Sequence, residues 1–104
     1  MINHPNRNKS KPPQERAIVV TTAHRGVFFG YATSTDGEII ALRAARNCLY
    51  WSADVKGFMG LAATGPSKSC KIGPAADIEV RQITSVIACT PEATAAWEAA
   101  PWSR

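Results

Sequence analysis

The sequence predicts an α+β domain, a small, mostly antiparallel β-sheet or partly open barrel with one short inserted helix and a C-terminal helix. Three observations predict it. Short β-branched and aromatic runs follow one another from residue 17 to residue 51. Helical spacing and capping signals are confined to residues 53–63 and to the stretch from 91 to about 99. The chain has 104 residues, enough for one small core and no more. With 45% hydrophobic and 19% charged residues, disorder along the whole length is excluded.

Residues 17–22 (AIVVTT) form the first strand, and residues 23–26 (AHRG) a connector in which Gly26 can take positive φ. Residues 27–33 (VFFGYAT) form the second strand. Its period of two puts Val27, Phe29 and Tyr31 on one face and Phe28, Gly30 and Ala32 on the other. Asp36-Gly37 is the strongest hairpin signal in the chain and leads into a third strand over residues 38–44, with Ile40 and Leu42 sharing a face. Residues 47–51 (NCLYW) read as a fourth strand. Ser52 is then an N-cap for a helix over residues 53–63, whose Val55, Phe58, Met59 and Ala62 make one buried face before the Gly65-Pro66 stop. Gly57 and Gly60 inside it cost about 1 kcal/mol each relative to Ala, so packing has to hold this helix. Residues 67–76 read as loop, and residues 78–83 and 85–89 as two strands or one bent one. Thr90-Pro91-Glu92 supplies an N-cap, an N1 proline and an acidic first turn for the last helix.

The net charge of +4 divides unevenly. Residues 1–16 carry Arg7, Lys9, Lys11 and Arg16 against Glu15, and read as a basic, disordered tail able to touch nucleic acid weakly through phosphates. Residues 17–104 form the single globular domain, and their eight basic and seven acidic residues are not the charge of a general DNA-binding protein. No apolar run is long enough to span a bilayer, and residues 1–16 contain no apolar segment of a signal peptide, so no membrane partner is expected.

Cys48, Cys70 and Cys89 are separated by 21 and 18 residues, and neither they nor His4 and His24 have metal-ligand spacing. Cys48 and Cys89 lie in apolar runs and read as buried structural thiols, while Cys70 sits between Lys68 and Lys71, which favour its thiolate. The stretch from Gly60 to Ser67 superficially resembles a phosphate-binding loop, but Pro66 stands where its lysine should be. No Ser/His/Asp or Cys/His constellation is present. Asp77 or Glu79 could activate a water, yet nothing else points to catalysis. The expectation is therefore no catalytic residue, no metal and no cofactor.

The informative feature is a mixture of cations and aromatics around two connectors. Arg25 lies in the first turn, and Arg43, Arg46 and Asn47 at the junction of the third and fourth strands. Tyr50 and Trp51 follow, then Lys56, Lys68 and Lys71. Guanidinium and ammonium groups satisfy phosphates, and aromatic faces stack bases at about 1–3 kcal/mol each. The competing account places the aromatics in the core and the cations in a solvated rim. Trp97 and Trp102 close the chain, either completing the core or docking on a neighbour, which makes a homo-oligomer an expectation.

Taken together, His24-Arg-Gly-Val-Phe-Phe-Gly30, Ala45-Arg-Asn-Cys-Leu-Tyr-Trp-Ser52, Lys56-Gly-Phe-Met-Gly-Leu-Ala62, Gly65-Pro-Ser-Lys-Ser-Cys-Lys-Ile-Gly-Pro74 and Trp97-Glu-Ala-Ala-Pro-Trp102 resemble a family of small phage and prophage proteins of unknown function. The resemblance covers about residues 17–102, and residues 45–74 are its most specific part. It implies a phage or prophage origin and a host bacterial cytoplasm, and no catalytic motif. By analogy of profile, small phage proteins of this kind are often counter-defence factors, among them oligomeric sponges for cyclic nucleotide-type immune signals. The expectation is a protein that binds and sequesters such a signal without cleaving it. Arg25, Arg46 and Lys71 would meet phosphates, Tyr50 or Trp51 would stack a base, and Asn47 would bond a base edge or ribose, with Lys56 and Lys68 nearby. On that expectation Arg46→Ala abolishes capture and leaves the fold intact. The alternative is an inhibitor that docks on a host defence enzyme through Trp97, Trp102 and a sheet edge.

Overall fold

The computed structural model describes residues 14–102, so most of the expected tail, residues 1–13, lies outside the described residues. Six strands are present: β1 (Arg16–Thr22), β2 (Val27–Ala32), β3 (Ile40–Tyr50), β4 (Lys71–Ile72), β5 (Ala76–Val80) and β6 (Ile83–Ala88). Two α-helices, α1 (Gly57–Ala63) and α2 (Pro91–Ala99), and a 3-10 turn at Ala53–Val55 complete the described elements. Every ladder is antiparallel, in the order β4-β3-β2-β1-β6, with β5 also paired to β3. The α+β architecture is as expected.

The sheet cannot be flat. β5 lies beyond β3 and β6 beyond β1, on opposite flanks of the sheet, yet only Arg81 and Gln82 join them. A link that short reaches at most about 11 Å between its flanking Cα atoms, so the sheet curls until its edges approach. The Ala23 N–H donates to the Gln82 carbonyl at 2.9 Å and continues the β1–β6 ladder one step into this link. Inside the curl lie Ile18, Val20, Ala32, Ile40, Leu42, Ala45 and Val80, each 5% exposed or less, with no helical residue among them. The outer face of the sheet carries the second core. Val19, Val27, Phe29 and Cys48 pack beneath Val55, Leu61, Ala62, Ala93 and Trp97. The expected two faces of β2 are thus the two cores of the domain.

β3 is one strand of 11 residues where two were expected. Its ladders with β2 and with β5 both slip by one residue around Ala44, which takes φ +52 and donates its N–H to the Asp77 carboxylate at 2.9 Å. A one-residue slip flips every later side chain to the other face. Ile40 and Leu42 therefore point into the curl, while Arg46 and Cys48 point out beneath the helices. Asp36-Gly37 does not form the expected tight hairpin. Residues 33–39 make a longer connection, and Gly37 does not adopt the positive φ of that turn type.

The helix expected over residues 53–63 is broken at Lys56 (φ +66) and Gly57 (φ +76). Ser52 makes no side-chain cap bond to the backbone, and its hydroxyl donates to the Asp54 carboxylate instead. Gly60 permits the break, since a Cβ there would stand 1.5 Å from the Val55 carbonyl oxygen. The break turns Phe58 and Met59 outward, so the expected buried face retains only Val55 and Ala62 and gains Leu61. The last helix matches expectation. The Thr90 hydroxyl accepts the Ala93 N–H at 3.0 Å, with Pro91 in the first turn. Trp97 is fully buried, stacks on Phe29 at 5.2 Å and 8°, and donates its indole N–H to the Leu61 carbonyl at 2.9 Å.

Two predictions follow from this packing. Alanine normally favours a helix by about 1 kcal/mol over glycine, but Gly60→Ala is expected to lower the urea midpoint because of the Val55 carbonyl. A raised midpoint would mean that the two groups are not in contact. The second concerns alkaline pH. Burial pushes the Cys48 thiol up to about 12 and the Cys89 thiol up to about 11 from an ordinary 9.0. Burial and the bond to Glu98 push Tyr31 up to about 12 from 10.0. All three lose their protons more easily in the unfolded chain, so stability should hold up to about pH 9 and fall between pH 9 and 12. Denaturant midpoints measured across pH 7–12 test this, and a flat profile above pH 9 would contradict it.

Candidate functional site

Among the described residues, four non-glycine residues take positive φ: Arg25 (65°), Ala44 (52°), Lys56 (66°) and Gln82 (58°). Such a conformation costs about 1–3 kcal/mol and gathers where a fold positions functional groups. Apart from Ala44 in the bulge, these residues lie in three turns that each lead into one wall of the same groove. Arg25 precedes Gly26 and Val27, Lys56 precedes Phe58, and Gln82 precedes Thr84 and Ser85. Arg25, Gly26, Val27, Phe58, Thr84 and Ser85 line, with Trp51, Thr21 and Thr22, a groove of about 440 Å³ at one end of the curled sheet.

The β1–β2 turn sets the position of Arg25. The Thr22 N–H donates to the Gly26 carbonyl at 2.9 Å, the Arg25 N–H to the Thr22 carbonyl at 3.2 Å, and the Gly26 N–H to the Thr22 hydroxyl at 3.0 Å. Positive φ falls on Arg25 and not on Gly26 as expected. Gly26 is needed for space, since a Cβ there would stand 2.6 Å from the Thr22 hydroxyl and 2.8 Å from the Phe28 ring. The Arg25 side chain is exposed, and among the described residues no carboxylate pairs with it. Trp51 is half-buried against the helix-side core, and Phe58 faces outward from α1. The Thr21 and Thr84 hydroxyls bond each other at 2.7 Å, leaving a polar wall between an aromatic rim and a cation.

Of the candidate binding residues, the structure brings Arg25 and Trp51 together. Lys56 is exposed just before α1 and does not line the groove. Tyr50 and Lys71 face each other across the β3–β4 ladder, both exposed, and Lys68 is exposed in the preceding loop. None of these three lines the groove. Asn47 is half-buried opposite Phe28, and its backbone carbonyl accepts the Gly73 N–H at 2.9 Å. Phe58, Thr21, Thr84 and Ser85 were missed. Helical spacing assigned Phe58 to the core, and nothing local marks the hydroxyls.

Arg46 requires a correction. Its residue is only 8% exposed, and its guanidinium donates to three backbone carbonyls. Nε bonds Gly73 at 2.8 Å, and Nη1 bonds Trp97 at 2.9 Å and Ala100 at 2.7 Å. The last carbonyls of a helix lack partners within it and attract cations. Arg46 is therefore a clamp on the end of α2, not a phosphate ligand on the surface. Arg43 is committed too, to the Glu15 carboxylate through two bonds from Nε at 2.9 Å and to the Tyr31 ring at 4.8 Å. Its guanidinium holds the Glu15 carboxyl below the usual range. Among the described residues, no group of three His, Cys, Asp or Glu side chains converges as metal ligands would, and no helix is long and apolar enough to cross a membrane.

A family model described as a domain of unknown function (DUF6948) matches residues 15–97, a span that contains every residue lining the groove and Arg46 itself. No curated protein and no solved structure matches the chain.

The two arginines should separate in a stability assay. Arg46→Ala leaves three carbonyls without their donor and is expected to cost about 2–4 kcal/mol. Arg25→Ala, on an exposed turn, should stay within about 0.5 kcal/mol of the parent. Chemical denaturation of both variants checks this, and equal midpoints would remove the clamp assignment.

Proposed function

Since the chain belongs to the family described as a domain of unknown function (DUF6948), its activity has to be read from its own surface, and we propose that it binds and sequesters a cyclic nucleotide-type signal without cleaving it. One observation carries this reading: Arg25, with no carboxylate partner among the described residues, shares a groove with Trp51 and Phe58. A guanidinium is suited to phosphate oxygens and an aromatic face to a base. The Thr84 and Ser85 hydroxyls stand within the same groove for a ribose or a base edge. No His, Asp or Glu is among the residues that line it, so the groove offers contacts for holding a phosphoester and no general base for breaking one. The phage or prophage origin implied by the sequence resemblance gives such capture a use, the removal of an immune signal from the host cytoplasm.

The competing inhibitor reading docks through Trp97, Trp102 and a sheet edge. Trp97 is fully buried in the helix-side core, and of that pair only Trp102, at 50%, is exposed. The groove is the better-supported site.

The test is a capture assay with stoichiometric protein against cyclic di- and trinucleotides and cyclic ADP-ribose isomers. One ligand should vanish from the filtrate and return intact when the protein is heated. Arg25→Ala and Trp51→Ala should each weaken capture about ten-fold or more while the fold is retained. Ligands that all stay in the filtrate would overturn the reading, and release as a product would replace it with an enzyme.

A further inference from the structure

The charge of the groove restricts its ligand further, in an inference that rests on the reading above. We infer that the groove takes a nucleotide unit through a phosphodiester, with one negative charge, and disfavours the terminal phosphates of nucleoside mono- and triphosphates. Arg25 is the only charged residue among those lining it. The remaining polar side-chain groups there are hydroxyls and the Trp51 indole N–H, and Val27 and Phe58 are apolar. Among the described residues no other cation lines the groove, Lys56 and Arg81 included. Arg46 is turned to backbone carbonyls, Arg43 to Glu15 and the Tyr31 ring, and Lys68 and Lys71 do not line the groove.

A polyphosphate usually carries its excess charge on a divalent cation held by carboxylates. The groove has no carboxylate, and among the described residues no acidic, Cys or His cluster could supply such a site. Each extra phosphate charge would therefore stay in water outside the groove or enter it without a counterion, which is costly. A single guanidinium instead matches the two non-bridging oxygens of one diester, with two parallel N–H···O bonds. Size points the same way. Ligand sites commonly run from about 300 to 1,000 Å³, and a groove of about 440 Å³ suits one nucleotide unit, its base against Trp51 and Phe58. The diester can belong to a cyclic mononucleotide, to one half of a cyclic dinucleotide or to one link of a single strand.

Calorimetric titration of the full chain tests this with five probes that share a base: the 3′,5′-cyclic mononucleotide, the cyclic dinucleotide, the 5′-monophosphate, the 5′-triphosphate with Mg²⁺, and a short single-stranded oligonucleotide. Diesters are expected to bind about ten-fold or more tightly than the mono- and triphosphates. The affinity of the best diester should fall with salt at a log–log slope near one, as for one phosphate contact. Arg25→Ala should abolish that slope, and Arg25→Lys should keep it while narrowing the preference for diesters, because an ammonium lacks the fork. A triphosphate that binds as well as the diester, or a slope of two or more, overturns the inference and leaves the groove reading standing. Failure of every probe to bind overturns both. Tighter binding of the oligonucleotide than of the cyclic dinucleotide supports the diester and assigns it to a nucleic-acid strand, and the reverse order assigns it to a cyclic signal.

Discussion

Arg81 and Gln82 are all that separates two strands on opposite edges of the sheet, and most of the molecule depends on that short link. It forces the sheet to curl and so creates an interior that the strands enclose without help from a helix. It also leaves the outer face as the only place for the helices, which cover Val19, Val27 and Phe29. The Gln82 carbonyl then accepts the Ala23 N–H, drawing the β1–β2 turn toward the start of β6. Arg25 and Thr84 meet in one groove because β1 pairs with β6, with Thr21 opposite Ser85 and Thr22 opposite Ile83.

Closure gives β3 two tasks. Its first half has to fill the interior and its second half has to support the helices. The bulge at Ala44 reconciles them by flipping the faces between Leu42 and Arg46. Were the alternation unbroken, Arg46 would project into an apolar interior, where a lone charge costs several kcal/mol. On the outer face the same guanidinium finds the carbonyls of Gly73, Trp97 and Ala100, and so joins the loop after β4 to the end of α2. The Asp77 carboxylate on the Ala44 N–H holds the bulge in its left-handed conformation.

The parts of this arrangement that were legible in the sequence are those set by near neighbours. The two faces of β2 follow from a period of two, and the start of α2 from Thr90 and Pro91. The parts that were not legible depend on contacts between distant segments. The break in the helical segment needs a residue without a Cβ at position 60, where the Val55 carbonyl comes close, whereas spacing alone sees a continuous apolar face. Residue type marked Arg25 and Arg46 alike as cations for phosphate. The register of β3, which no local pattern records, turns Arg46 onto a helix end, while the β1–β2 turn leaves Arg25 exposed in a groove. Trp51 was named as a stacking candidate for its chemistry, and it meets Arg25 because β2 and β3 are antiparallel, with Phe28 opposite Asn47.

The strained turns complete the physical account of the groove. The β1–β2 turn needs one residue without a side chain and one with positive φ, and it assigns them to different positions. Glycine at 26 makes room for the Thr22 hydroxyl and the Phe28 ring, so the left-handed conformation falls on an arginine. Lys56 and Gln82 take the same conformation in the two turns that lead to the other walls. Each of the three is held by the backbone bonds of its own turn or by a neighbouring strand. A cation, an aromatic rim and a hydroxyl wall fixed in this way before any ligand arrives leave little ordering for the ligand to impose. Preorganisation of that kind lowers the entropic cost of association, which is what stoichiometric capture of a scarce small molecule requires.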